Sequence, residues 1–151
     1  MKYFDILYSY NWYHDLENYL LGKSPLDLLV KHLNEDNIYR ANTLENHDRE
    51  RIASIVDRKT LFSLLEFLFF IRGDAFLYMG QEYGNKHKPE LFEKDPVNWE
   101  KDEEIYNFVK ELIKKKKDIN VLSQKVSQID ERSLKVEITT DKGDFSKIFT
   151  F

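Results

Sequence analysis

A chain of 151 residues, 42% hydrophobic and 15% aromatic, has the length of one ordinary domain and ample material for a core, which excludes a chain disordered throughout. A net charge of −4 gives no basic footprint for nucleic acid, and the absence of cysteine excludes disulfides and thiolate metal sites. Asp5, Ser9, Tyr10 and Asn11 interrupt any signal-peptide apolar region, and the longest apolar run, residues 61–71, includes Ser63 and Glu66 and is too short to span a bilayer; a soluble, cytoplasmic protein with no membrane contact is expected.

Residues 4–10 are aromatic and β-branched and read as a short strand. Residues 11–21 place Trp12, Leu16, Tyr19 and Leu20 at helical spacing, closed by Gly22. Ser24 then fits an N-cap, Pro25 a first helical position and Asp27 the first turn of a helix with an apolar face of Leu26, Leu28, Leu29, Val30 and Leu33. After a polar turn at 34–37, residues 38–45 form a second strand. Residues 51–56 begin a helix, and 60–71 form another that is apolar nearly all round, as a helix packed on two neighbours must be. Residues 75–79 suit a buried parallel strand, with a loop at Gly80–Gly84. Residues 85–101 are irregular, with Trp99 expected to anchor them. Residues 102–117 are an amphipathic helix whose run Lys114–Lys117 reads as a solvated helix end rather than a polybasic patch. Residues 119–126, 133–139 and 145–151 alternate as strands, with 141–144 as a hairpin turn. Strand and helix therefore alternate up to residue 117, which argues a parallel sheet, and an antiparallel segment follows.

The stretch that carries polar chemistry is Asn46-His47-Asp48-Arg49-Glu50-Arg51, at the junction between the second strand and the next helix. Strand ends that hand polar residues to a following helix are where α/β enzymes keep their active groups. Asp48 could equally be the N-cap of that helix, and the residues of this stretch alone leave the two readings level.

Residues 44–51, with Asn46-His47-Asp48 and Arg51 three residues on, resemble the Asn-His-Asp motif of the α-amylase family (glycoside hydrolase family 13). Residues 73–82 resemble its next landmark, Gly-x-Pro-x-(aliphatic)-Tyr-x-Gly-x-Glu, with Ala75 where the family usually has proline. Residues 91–99, with Asp95-Pro96 and Trp99, look like the family's loop after the last barrel strand. The resemblance covers roughly residues 3–117. It implies the last three β/α units of a (β/α)8 barrel in residues 1–117, strands six to eight, and part of a C-terminal β domain in 118–151. It also implies a catalytic role for Asp48 as the carboxylate that grips sugar hydroxyls and stabilises the transition state, with His47 and Asn46 binding the same substrate and Tyr8 beside them. Hydrogen bonds to sugar hydroxyls that strengthen as the oxocarbenium-like state forms lower its barrier. The family's nucleophile follows strand four and its acid follows strand five, and neither motif occurs here. The resemblance thus implies an α-glucan or malto-oligosaccharide partner but no hydrolysis by this chain alone, and a complementing N-terminal barrel chain or self-association. A non-catalytic carbohydrate-binding or interaction module from the same barrel is the alternative.

Glu45 and Glu82 match the family's pattern without a catalytic role, and Glu82 is expected to order the loop after the third strand. Tyr8, Tyr10 and Tyr83 could stack on sugar as readily as pack, whereas Tyr78 reads as packing. His14, His32 and His87 are scattered, and no phosphate-cradling glycine motif occurs, so no metal and no cofactor are expected. In a partial barrel one face of the apolar helix at 61–71 would be exposed and favour association.

Overall fold

The computed structural model describes residues 4–35 and 39–151. Met1 to Tyr3, two residues of the expected polar turn (Asp36 and Asn37) and the first residue of the expected second strand (Ile38) lie outside the described residues. Three strands, β1 (Leu7–Tyr8), β2 (Arg40–Asn42) and β3 (Asp74–Ala75), form a parallel sheet in the order β1-β2-β3. Leu7 pairs with Arg40, and Asn42 with Ala75. Helices α1 (Tyr10–Leu20) and α2 (Leu26–Asn34) connect β1 to β2, and α3 (Ile52–Ile55) and α4 (Arg58–Phe70) connect β2 to β3. A turn at Gln81–Tyr83 and an irregular loop lead to α5 (Glu103–Lys117). The antiparallel sheet β4 (Val121–Gln128), β5 (Ser133–Thr140) and β6 (Gly143–Thr150) ends the chain.

The parallel strands are shorter than expected. Tyr10 already belongs to α1, and β2 ends at Asn42 because Thr43 turns its hydroxyl onto the Glu45 carbonyl (2.8 Å) and the chain leaves the sheet. Residues 76–79 leave the ladder after one further bond, Phe76 N–H to the Asn42 carbonyl (2.7 Å). Gly73 marks where the chain enters β3: its φ is +115°, and a Cβ there would stand 2.4 Å from the Arg40 carbonyl oxygen. The expected cap at Ser24 is corrected. Pro25 occupies the N-cap position, Leu26 opens α2, and the buried Ser24 hydroxyl makes no hydrogen bond. The starts of α4 and α5 do follow capping chemistry, with Asp57 accepting from the Thr60 amide and Asp102 from those of Glu104 and Ile105. The last hairpin turns on Asp141 and Lys142 alone, so Gly143 and Asp144 belong to β6.

The core lies around α4. Leu64, Leu65, Phe67 and Leu68 are fully buried, and the rings of Phe149 and Phe151 meet Phe67 edge to face at 5.3 and 5.4 Å. Trp12 meets Phe67 edge-on from α1. The expected exposed face of this helix is therefore corrected: the C-terminal sheet and α5 cover it. Apolar side chains are instead exposed around the parallel sheet, with Phe4, Ile6, Tyr8, Phe76 and Met79 all open. Tyr8 and Phe76 touch across β2, which places both on one open face. Trp99 does not anchor its loop from within. It is 59% exposed and lies edge-on against Tyr83. Among the described residues no helix is long and apolar enough to cross a membrane.

Candidate functional site

The four residues expected to face substrate come together at the C-terminal ends of β1 and β2. Tyr8 is the last residue of β1, and its hydroxyl accepts a hydrogen bond from Asn46 Nδ2 at 3.2 Å. The other end of the same amide, Asn46 Oδ1, accepts from the Asp48 backbone N–H at 3.0 Å, which folds residues 46–48 into a tight turn. His47 Nε2 stands 3.3 Å from Asp48 Oδ1. Asn46 thus holds the turn at both ends, and the turn presents an imidazole and a carboxylate together.

The polar neighbours on either side are committed elsewhere. Arg49 Nη1 donates to Glu17 Oε2 on α1 at 2.8 Å, and its Nη2 lies 3.3 Å from His14 Nδ1. Glu50 pairs with Lys88 at 3.2 Å. Glu45 and Arg51 are fully buried and paired at 3.0 Å, and Glu45 Oε2 accepts from the Ile52 backbone N–H at 2.8 Å. Arg51 in turn donates to the Met79 carbonyl at 2.7 Å and lies over the Tyr78 ring at 4.9 Å. This arrangement excludes the N-cap reading of Asp48. The helix that follows starts four residues later, at Ile52, and its first amide is satisfied by Glu45. Asp48 caps nothing, and its side chain is 57% exposed beside a His47 that is 61% exposed.

Two carboxylates three residues apart therefore have opposite environments. Burial pushes the Glu45 carboxyl up to about 7, with Arg51 and the Ile52 amide opposing and Glu82 adding to the rise. Glu45 is a structural strut, whereas Asp48 is an acceptor open to solvent. Below the site, Trp12 Nε1 donates to Asn42 Oδ1 at 3.0 Å, and Asn42 Nδ2 donates to the Arg72 carbonyl at 2.9 Å, tying α1, β2 and the entry to β3. Tyr13 is buried beneath the same region, and desolvation raises its hydroxyl pKa further.

The tyrosines divide. Tyr8 is 42% exposed beside Asn46, whereas Tyr10 stacks on His14, Tyr78 sits under Arg51, and Tyr83 packs against Tyr106 and Trp99. Gln81 orders the loop after β3, its Oε1 accepting from the Tyr78 amide at 3.1 Å, while Glu82 buries Oε2 without a hydrogen bond. The expected role of Glu82 thus falls to Gln81. His14, His32 and His87 are engaged with Asn18 and Arg49, with Asp15, and with Asp95 respectively; no group of three metal-ligating side chains occurs among the described residues. The supports missed in the sequence are Glu17 and Asn42. Their only signal is an arginine adjacent to Asp48 that needs an acidic partner, and nothing local names Glu17, 32 residues away.

The family model of the α-amylase catalytic domain matches residues 19–134. A search of curated proteins finds no match. Among solved structures, the chain is similar to a maltogenic α-amylase from Thermotoga neapolitana (24% identity, TM-score 0.87), covering 97% of this chain and 38% of that one. It is also similar to an α-amylase from Lactobacillus plantarum (25% identity, TM-score 0.77), covering 89% of this chain and 34% of that one. A maltogenic amylase from S. marinus aligns at 21% identity and TM-score 0.80, covering 97% and 24%. The chain thus spans well under half the length of these proteins. Its parallel sheet and helices are the last three β/α units of an amylase-type barrel, followed by an antiparallel β segment. Matched by the catalytic-domain model over most of its length, the chain belongs to the α-amylase family.

Proposed function

We propose that this chain supplies the substrate-binding corner of a glycoside hydrolase acting on α-glucosidic bonds of starch-like oligosaccharides. The observation that supports this most is the exposure of His47 and Asp48 in a stretch where Glu45, Arg49, Glu50 and Arg51 are each paired within the protein. An exposed carboxylate and imidazole 3.3 Å apart suit adjacent sugar hydroxyls, one accepting and one able to donate. Asp48 then acts as the transition-state stabiliser, with His47, Asn46 and Tyr8 binding substrate. Residues 1–117 are the barrel portion and 118–151 part of a C-terminal β domain.

Retaining hydrolysis needs a nucleophilic carboxylate and a general acid on opposite sides of the scissile bond. Within the motif stretch Glu45 is buried and Glu50 is paired with Lys88, which leaves Asp48 for substrate, and neither the family's nucleophile motif nor its acid motif occurs here, so this chain alone is expected to cleave nothing. Its complement is the barrel portion carrying the earlier strands, and the open apolar face around Tyr8 and Phe76 suits that portion or a second copy. Release of reducing sugar from starch by the purified chain is the test. None is expected, and measurable turnover removes the proposal.

The second reading, a non-catalytic carbohydrate-binding module, draws on one observation: the turn is held by Tyr8 and Glu17 within this chain, so its geometry does not need the missing strands. Calorimetric titration with maltose or acarbose separates the two. Binding without turnover, lost in His47→Ala, favours the module, and absence of binding returns the argument to the partial enzyme.

A further inference from the structure

Glu82 is an acid that neither the turn nor its own loop accounts for. Gln81 orders the loop after β3, yet Glu82 keeps its Oε2 atom buried and without a hydrogen bond. A carboxylate oxygen that has left water and found no donor is unfavourable, so another group must offset it. Glu45 Oε1 is in the same position. Arg51 Nη1 stands 3.0 Å from it, but off the line that a hydrogen bond needs, and both atoms lack one. Glu82 and Glu45 lie close enough to repel. Arg51 is the cation that faces Glu45, and Tyr13, from α1, is the other titratable group near it. Burial holds the Tyr13 hydroxyl well above its usual range, so it stays protonated and adds no charge. Two carboxylates against one guanidinium leave one buried negative charge without a partner.

The same three residues join two segments. Glu45 Oε2 accepts from the Ile52 amide, which closes the base of the turn. Arg51 reaches from that base to the segment after β3, donating to the Met79 carbonyl at 2.7 Å and lying over the Tyr78 ring. It fits there because residue 80 is glycine: a Cβ at Gly80 would stand 2.8 Å from Arg51 Nη2. Glu82 is carried by the short turn that follows, Gln81–Tyr83.

We propose that Glu45 and Glu82 share one proton, and that this protonated pair, clamped by Arg51, is the latch that fixes the 46–48 turn to the loop after β3. The proton cancels the excess charge and turns one of the two orphan oxygens into a donor. Burial pushes the Glu45 carboxyl up to about 7, with Glu82 adding to the rise, so the proton is held below that pH and lost above it. Once it leaves, the loop is the part that gives way, because Glu45 is tied to the Ile52 amide on the turn side. Glu82 is thus a positioning residue that acts through Glu45 and Arg51. Its consequence for substrate rests on the proposed role of the turn, but the latch does not.

Infrared spectroscopy of the intact chain from about pH 5 to about pH 9 follows the protonated-carboxyl band, and hydrogen exchange of residues 79–84 is measured over the same range. Glu45→Gln is expected to abolish the band. Glu82→Gln, which keeps the shape and removes the charge, is expected to lower the pH at which the band is half lost by about one unit. In the parent, exchange of residues 79–84, corrected for its intrinsic pH dependence, is expected to rise by about tenfold as the band is lost, and to stay level in Glu82→Gln over that range. A band unmoved by Glu82→Gln assigns the proton to Glu45 alone, and level exchange in the parent means that no latch opens; either result overturns the proposal. The parent's exchange profile needs no variant, so it decides the matter even where Glu82→Gln fails to fold. Neither readout uses sugar, so the latch and the role of Asp48 fail separately.

Discussion

The two sheets of this molecule are built to different degrees of completeness. In the C-terminal sheet, each strand is eight residues long, β5 is paired along its whole length with β6 and over Leu134–Thr140 with β4, and one face is sealed against α4 by Phe149 and Phe151. In the parallel sheet, strands of two or three residues are bordered by exposed Phe4, Ile6, Tyr8, Phe76 and Met79. Yet the second sheet carries the more elaborate polar network, with Asn42, Asn46, Glu45, Arg49 and Arg51 all engaged at its C-terminal ends. The difference teaches that stability and site geometry are supplied by different parts: the α4 core and its β cover hold the chain together, and side-chain struts hold the turn in a sheet of three short strands. Short parallel strands contribute little alone, since parallel pairing is stable where both faces are covered.

Breaking the sealed side should cost most. Phe67→Ala removes the ring that meets Trp12, Phe149 and Phe151, and is expected to destabilise by about 3–5 kcal/mol in denaturant unfolding. Cutting a strut should cost as much in the weaker sheet: Arg51→Leu leaves the buried Glu45 carboxylate without its cation and is expected to cost about 3–5 kcal/mol. The same strut gives a pH signature. Because the Glu45 carboxyl rises from 4.5 to about 7 on folding, the folded state binds its proton more tightly than the unfolded state. This stability is fully present below about pH 4.5 and is lost as pH rises to about 7, on the order of 3 kcal/mol in all. Glu45→Gln should flatten that part of the profile; an unchanged slope would place the proton elsewhere. Asp57→Ala, which removes the cap of α4, should cost about 1 kcal/mol. Phe76→Ser on the open face should change stability by no more than about 0.5 kcal/mol. A loss comparable to that of Phe67→Ala would mean the open face is covered within the chain's own fold.

Sequence patterns reach the helices and the tail well, because their signals are local. Asp102 before an apolar stripe announces α5, and the alternation in residues 133–139 announces β5. The parallel strands are legible as positions but not as lengths: Thr43 bending its hydroxyl to Glu45 ends β2 three residues early, and no composition rule predicts that bond. For the candidate site, Asn46, His47, Asp48 and Tyr8 are named by the motif and its order in the chain, and the structure brings them together. Their supports are not, because Glu17 and Asn42 act across 32 and 30 residues and reveal themselves only when α1 lies against β2. The inward turn of Lys116 is hidden for the same reason, inside a run that reads as four equivalent solvated lysines.

The central proposal is that Asp48 serves in catalysis only together with the barrel portion that provides the nucleophile and acid. Mixing this chain with one that carries the preceding barrel strands, and following reducing-sugar release from starch, tests it most directly. The account predicts no release from this chain alone, release from the mixture, and loss of that release with Asp48→Asn. Turnover by this chain alone, or a mixture whose activity is indifferent to Asp48→Asn, would contradict it.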